Sequence, residues 1–192
     1  MPRMPFGKNY LTMNVPQIAG TRWTLPGWVF ANRAGFAVAS GWKAHIPIFV
    51  CRNWTYVGIG CEVSALAAGS ARLGIYAVDG SGLPAALILD AGTVDTGSIG
   101  DKTIVISQLL RQGYYYLAIV FNAAPSLYGP NDGNGVTIPA SSFAASPGSI
   151  YGPVLFMTGV AAEVAGGLSN PASLAGASMS AAGYASVNLQ EA

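Results

Sequence analysis

Charge is what this sequence has least of. Nine Lys/Arg and eight Asp/Glu among 192 residues make 9% of the chain, where an average soluble domain carries about 25%. Too few charges remain to coat a free monomer, so much of the surface is expected to be covered by copies of the chain or by partners. Disorder is excluded, because 52% of the residues are hydrophobic and an unfolded chain needs low hydrophobicity with high charge. Histidine occurs once, at His45. A Ser-His-Asp triad or a His-based metal site would need partners around it, and there is no second imidazole; His45 reads as structural. Cysteine occurs twice, at Cys51 and Cys61, and a hairpin turning near Asn53 leaves them too far out of register for a disulfide. Two buried free thiols are expected. Missing too is any run of about 20 strongly apolar residues, since Pro, Asn, Ser and Gly interrupt each uncharged stretch. The sequence therefore predicts no membrane insertion, and its first residues lack the apolar core of a secretory signal.

The acids are missing from the first third. Arg3, Lys8, Arg22, Arg33, Lys43 and Arg52 all precede Glu62, so residues 1–61 carry +6 and residues 62–192 carry −5. The bases stand singly, without the cluster that nucleic acid would need, and docking onto an acidic protein surface fits better. Residues 1–40 hold four prolines and no sustained period, which predicts an extended N-terminal arm. Its aromatics, Phe6, Tyr10, Trp23, Trp28 and Phe30, carry too much apolar area to remain solvated. Together with Arg22 and Arg33 they are the candidate assembly residues of that arm.

Residues 41–192 change to period-two alternation. Strands are expected at 45–51, 55–66, 72–78, 86–89, 92–95, 102–107, 114–121, 151–159 and 184–190, separated by turns such as Asp79-Gly-Ser-Gly82. Residues 125–135 read as a long loop, and Ala161–Gly183 as a loop with one helical turn. Short strands at this spacing predict an all-β fold, a jelly-roll-like antiparallel β-sandwich.

The segment Ala68-Gly-Ser-Ala-Arg-Leu-Gly-Ile-Tyr-Ala-Val-Asp-Gly-Ser-Gly-Leu-Pro84 continues as Leu87-Ile-Leu-Asp-Ala-Gly-Thr-Val-Asp95 and Leu109-Leu-Arg-Gln-Gly-Tyr-Tyr-Tyr-Leu-Ala-Ile-Val120. It resembles a β-sandwich module of tailed-bacteriophage virion proteins, which occurs in tail-fibre, receptor-binding and head-fibre or decoration proteins. The resemblance covers residues 42–125, roughly half the chain. It implies a virion protein assembled in the host cytoplasm, with other virion proteins as partners, and a homo-oligomer, with a trimer favoured.

Chemistry is sparse beside this. No G-x-S-x-G elbow occurs, and the acids that could form a glycosidase pair, Asp90 and Asp95, sit where turns favour Asp anyway. The oxygen-rich runs at Asp79 and Asn131 lack the order of an EF-hand. The expectation is no enzyme, no metal and no cofactor. Two functions compete: a tail or head structural component assembling through its arm, and a fibre or spike attaching to host surface glycan. For the second, the candidates are Trp54, Tyr128, Asn131 and Asp132, rings to stack on sugars beside groups to bond hydroxyls.

Overall fold

Alternating burial produces most of the elements. The computed structural model describes residues 23–24, 32–50, 52–131, 154–180 and 187–192. Its strands are β1 (Trp23–Thr24), β2 (Asn32–Ala37), β3 (Lys43–Val50), β4 (Trp54–Ala65), β5 (Ser70–Val78), β6 (Pro84–Asp95), β7 (Gly100–Leu110), β8 (Gly113–Phe121), β9 (Ser126–Asn131) and β10 (Val154–Met157). The helix α1 (Ala162–Gly166), β11 (Ser178–Ser180) and β12 (Asn188–Glu191) follow. Two antiparallel sheets pack face to face, the all-β sandwich that the alternation predicts.

In the first sheet, β4 is the spine. One edge of β4 pairs with β7 along most of its length; the other pairs with β12 at residues 56–60 and with β9 at 63–65. β1 extends the sheet beyond β12, and β2 beyond β9. The second sheet runs β11-β10-β3-β8-β5-β6. Between the sheets, Ile46 and Ile48 of β3, Ile59 and Val63 of β4, Leu73 and Ile75 of β5, and Leu117 and Ile119 of β8 are buried in one core.

Three details differ from the sequence reading. Residues 86–89 and 92–95 belong to one continuous strand, because register shifts along the β5–β6 pair absorb the irregularity around Gly92. The stretch read as a loop from 125 contains β9, whose Leu127 is fully buried and whose partner is β2. β2 lies before residue 40 and has no strong alternation of its own; pairing, rather than propensity, makes it a strand. A division at residue 40 therefore leaves β1 and β2 on the arm side, although both pair with strands of the sandwich.

The turn Asp79–Leu83 forms as its sequence suggests. Asp79 Oδ1 accepts the N–H groups of Ser81 and Leu83, and Gly82 takes φ +84°.

A third layer lies on the outer face of the second sheet. Val164 of α1 and Leu168 after it pack on Tyr76, Tyr116, Ala118 and Val120. The segment is tied to β6 as well, where Leu87 N–H donates to Asn170 Oδ1 and Ala172 N–H to the Ala85 carbonyl. Room for Leu168 comes from Gly74, which stands level with Ala118 of β8, itself level with His45 of β3. A Cβ on Gly74 would run into the Leu168 side chain and lie 2.7 Å from the Leu89 carbonyl oxygen. Gly74→Ala is expected to destabilise the fold by about 1–3 kcal/mol. Gly80→Ala, where a Cβ meets nothing within 4 Å, should change little. Urea unfolding of the two variants checks this.

Candidate functional site

The outer face of the second sheet carries most of the buried polar chemistry. Alternation sends Lys43, His45, Pro47 and Phe49 of β3 to this face, beside Val120, Ala118, Tyr116 and Tyr114 of β8 and Arg72, Gly74 and Tyr76 of β5. α1 and the residues up to Ala172 cover one end of the face, and among the described residues nothing covers the other, the open end.

Under the cover, Lys43 is fully buried. Its ammonium donates to Glu163 Oε2 at 2.6 Å, to Tyr76 Oη at 3.3 Å and to Ser169 Oγ at 3.3 Å. Three donors meet three acceptors, so the group is saturated. Tyr76 Oη in turn donates a hydrogen bond to the Ser169 carbonyl at 2.7 Å, and burial pushes the phenol up to about 12. Beside it, Arg72 Nε donates to Asp90 Oδ1 at 2.7 Å and Arg72 Nη1 to the Val164 carbonyl at 2.9 Å. Burial alone would raise the Asp90 carboxyl. The Arg72 guanidinium, with the N–H groups of Leu168 and Gly92, outweighs it and holds the group below the usual carboxylate range. The Lys43–Glu163 pair thus fastens the covering segment to the sheet, and the Arg72–Asp90 pair, which bridges β5 and β6, holds the segment through hydrogen bonds to the Val164 carbonyl and from the Leu168 N–H.

His45 lies between these groups and the open end. It is fully buried, neither ring nitrogen has a hydrogen-bond partner, and its ring meets the edges of Tyr76 and Tyr116 at 5.3 and 6.5 Å. Burial, and then the Lys43 charge, lower its pKa to about 3.

At the open end, Phe49 and Tyr114 face each other across the β3–β8 pair, ring centroids 4.8 Å apart and tilted by 48°. They are 40% and 66% exposed. The loops between β3 and β4 and between β7 and β8 meet here, joined by Gln112 N–H donating to Asn53 Oδ1 at 2.9 Å. Alternation could have placed Phe49 and Tyr114 on one face. That they are left uncovered depends on where the 160–174 segment ends, and no local pattern encodes this.

Trp54 and Tyr128 are not brought together. Trp54 begins β4, while Tyr128 follows Leu127, the partner of Val63 near the other end of β4, about 30 Å along the strand. Trp54 packs against the core, and the Arg52 guanidinium sits 4.0 Å over its ring, on a face a sugar would need. Tyr128 is half-buried on β9 and already engaged with a neighbour. Asn131 is placed only by strand position, opposite Asn32, and Asp132 lies outside the described residues. Of the arm candidates, Trp23 is placed in β1 and Arg33 in β2, opposite Gln190 and Pro130. Phe6, Tyr10, Arg22, Trp28 and Phe30 lie outside the described residues, as does Cys51. Cys61 is a free thiol whose pKa burial pushes up to about 12.

Asp90 and Asp95, weighed as a catalytic pair, have local duties: Asp90 in the Arg72 clasp, Asp95 in bonding Gly97 N–H and Ser98. Among the described residues, no group of three His, Cys, Asp or Glu side chains could hold a metal ion, and no helix is long and apolar enough to cross a membrane. Comparison of the chain with family models, with curated proteins and with solved structures finds no match.

The buried imidazole makes stability depend on pH. Folding keeps His45 neutral, whereas in the unfolded chain it gains a proton near pH 6.5. The unfolded state therefore binds more protons, and stability falls as the pH drops from 6.5 towards 3. By pH 4.5 the loss is expected to be about 2–3 kcal/mol. The loss from Asp90 begins only as the pH falls towards the carboxylate range, so His45→Leu should flatten the upper part of the curve. Denaturant titrations between pH 4.5 and 7.5 test it; an equal slope in both proteins would refute the assignment.

Proposed function

We propose that this protein is a structural component of a bacteriophage particle, on its tail or head surface, that works by assembling with copies of itself and with other virion proteins. The resemblance of residues 42–125 to virion β-sandwich modules supports the particle. The observation that carries the assembly is the solvent face of β7, where Val105 is 86% and Leu109 57% exposed. β7 is hydrogen-bonded only to β4 among the described strands, so a long edge is left unpaired, and Val105 and Leu109 stand on its outward side among Asp101, Thr103 and Ser107. Such an edge in a free monomer invites pairing with another chain. Leu66 and Ile99, also exposed, stand at the far end of the same sheet on loops joined through Ala67 and Thr96.

Charge strengthens the case. The chain has nine basic and eight acidic side chains, and the pairs Lys43–Glu163 and Arg72–Asp90 use four of them to hold the molecule to itself. What is left cannot keep a wide surface dispersed in water. In this reading the first residues, with Phe6, Tyr10, Trp28 and Phe30, serve as the anchor to neighbouring subunits, and the sandwich faces outward. A homotrimer is the assembly that the resemblance favours.

Light scattering and native mass spectrometry of the full chain test the proposal. The expected species is a trimer or larger at micromolar concentration. Val105→Lys with Leu109→Lys, both at exposed positions, should shift it towards the monomer with little change in melting temperature. A full-length protein that is monomeric and soluble at those concentrations would sink the assembly reading.

A further inference from the structure

We infer that residues 158–177 form a lid that opens in mild acid and uncovers the tyrosine-lined outer face of the second sheet. The path of the chain makes such a movement local. Residues 158–177 connect β10 to β11, and these strands pair with each other, Phe156 opposite Ser178. Both ends of the segment are thus pinned side by side, while the part between them crosses β3, β8 and β5 as far as β6, where Ala172 N–H meets the Ala85 carbonyl. It can lift without breaking a strand pair. Gly159 and Gly176, near its two ends, take φ +78° and +73°, and a Cβ on either would meet nothing within 4 Å. The backbone has room to turn at both places. What holds the lid down is small and mostly polar. Val164 and Leu168 are its buried apolar side chains, and the core between the sheets is built without them. The remaining ties are hydrogen bonds and one ion pair, to Lys43, Arg72, Tyr76, Leu87 and Asp90. A unit with so few buried apolar contacts opens more readily than the whole fold.

His45 supplies the response to acid. It is the only histidine of the chain and stands in one row with Ala118 and Gly74 across the sheet. Leu168 of the lid occupies the space over Gly74, and Tyr76, whose ring meets the imidazole edge, is bonded to the Ser169 carbonyl of the lid. The lid therefore keeps the ring dry. The titratable groups around it are Lys43 on its own strand, Arg72 and Tyr76 on β5, Tyr116 on β8, Glu163 on the lid, Asp90 on β6 and Asp79 on the β5–β6 turn. Glu163 is taken by Lys43, Asp90 by Arg72 and Asp79 by the N–H groups of its turn. Burial raises both phenols, so they stay neutral. Under the closed lid a charged imidazole would have no hydrogen-bonded carboxylate and would face the Lys43 ammonium. Burial and that charge lower its pKa from 6.5 to about 3. With the lid lifted the ring meets water and takes a proton, and the lid closes again only when the proton leaves. Acid therefore draws the equilibrium towards the open form. Opening joins Tyr76, Tyr116, Ala118 and Val120 to the exposed Phe49 and Tyr114 in one apolar strip across three strands.

Hydrogen exchange of the full-length protein, read amide by amide, tests the lid. Val164, Gly167, Leu168 and Ala172 are compared with the amides of β5 and β8 at pH 7.5 and 5.5, a window in which imidazole is the side chain that ordinarily titrates. After correction for the intrinsic rate at each pH, the lid amides are expected to exchange faster than those of β5 and β8. Their opening constant should rise about tenfold between the two pH values. His45→Leu should abolish that rise. Glu163→Gln, which leaves Lys43 without its counter-ion, should raise the opening constant by about tenfold or more at both pH values, with β5 and β8 still the better protected. Lid amides that exchange no faster than β5 and β8, an opening constant equal at both pH values, or a rise that survives His45→Leu would each overturn the proposal. The first two outcomes are read on the unsubstituted protein, so they decide even if a variant fails to fold. None of them involves β7, which belongs to the other sheet, so the lid and the assembly stand or fall separately.

Discussion

The buried ammonium of Lys43 is the interaction on which the layering of this molecule depends. An amine out of water is tolerated only when its donors are satisfied and its charge is met, and here Glu163, Tyr76 and Ser169 do both. Two of those partners belong to the covering segment and one to the sheet. The segment therefore cannot lift without exposing an unpaired charge to an apolar face. Removing one member of such a buried pair is destabilising by about 3–5 kcal/mol, far more than the pair would contribute at a wet surface. The Arg72–Asp90 pair, about a fifth exposed on each side, repeats the device at lower stakes, with its guanidinium reaching the last turn of α1 through the Val164 carbonyl. α1 is only five residues long, too short to persist by its own hydrogen bonds. Side-chain contacts to the sheet are what hold it.

That arrangement also accounts for His45. A fully buried imidazole without a hydrogen-bond partner is an uncommon and unfavourable burial, and the same cover that saturates Lys43 shuts it in. The imidazole remains neutral because burial denies water to its charged form, and a proton would also place a second positive charge beside Lys43. Its contacts are instead with the edges of two tyrosines. Among the described residues no hydroxyl or thiol hydrogen-bonds to either nitrogen. The layer is a place where polar groups hold structure, and the groups that face solvent on the same strands, Phe49 and Tyr114, are aromatic instead.

How much of this was legible from sequence follows from the range of each signal. Local alternation reveals β4, β5 and β8, because each has one face in the core and the period needs only neighbouring residues. Asp79-Gly-Ser-Gly82 is legible as a turn because its side chain bonds its own backbone. β2 and β9 were hidden, since each is made a strand by the other from the far side of the sandwich sequence, Asn32 pairing with Asn131 and Ala37 with Ser126. The Lys43 clasp was hidden for a similar reason: its acceptors lie on β5 and in the segment after residue 160, and neither end carries a motif. Trp54 was singled out as a tip aromatic by its place beside a turn. Its burial and its Arg52 neighbour depend on the opposing sheet, which composition cannot show. Phe49 and Tyr114 carried no sequence signal that set them apart from core aromatics; what distinguishes them is the length of the cover.

The low charge of the chain takes on a different meaning once its placement is known. Had all its charges stood on the surface, a sparse but ordinary coat would result. Instead the Lys43–Glu163 pair joins the covering segment to the second sheet, and the Arg72–Asp90 pair, within that sheet, binds the segment's Val164 carbonyl and Leu168 N–H, so four of the charges stand where one layer meets another. The first sheet has no comparable cover among the described residues. Its outer face carries Gly58 and Gly60 on β4, where the Gln190 and Thr103 side chains lie so close that no Cβ would fit, and Val105 and Leu109 on β7. The Gln190 and Thr103 side chains thus cover the two glycines, and on β7 the exposed Val105 and Leu109 alternate with Asp101, Thr103 and Ser107. The two sheets are therefore finished differently. The second is closed over one end by a segment of its own chain, and the first has no such cover among the described residues.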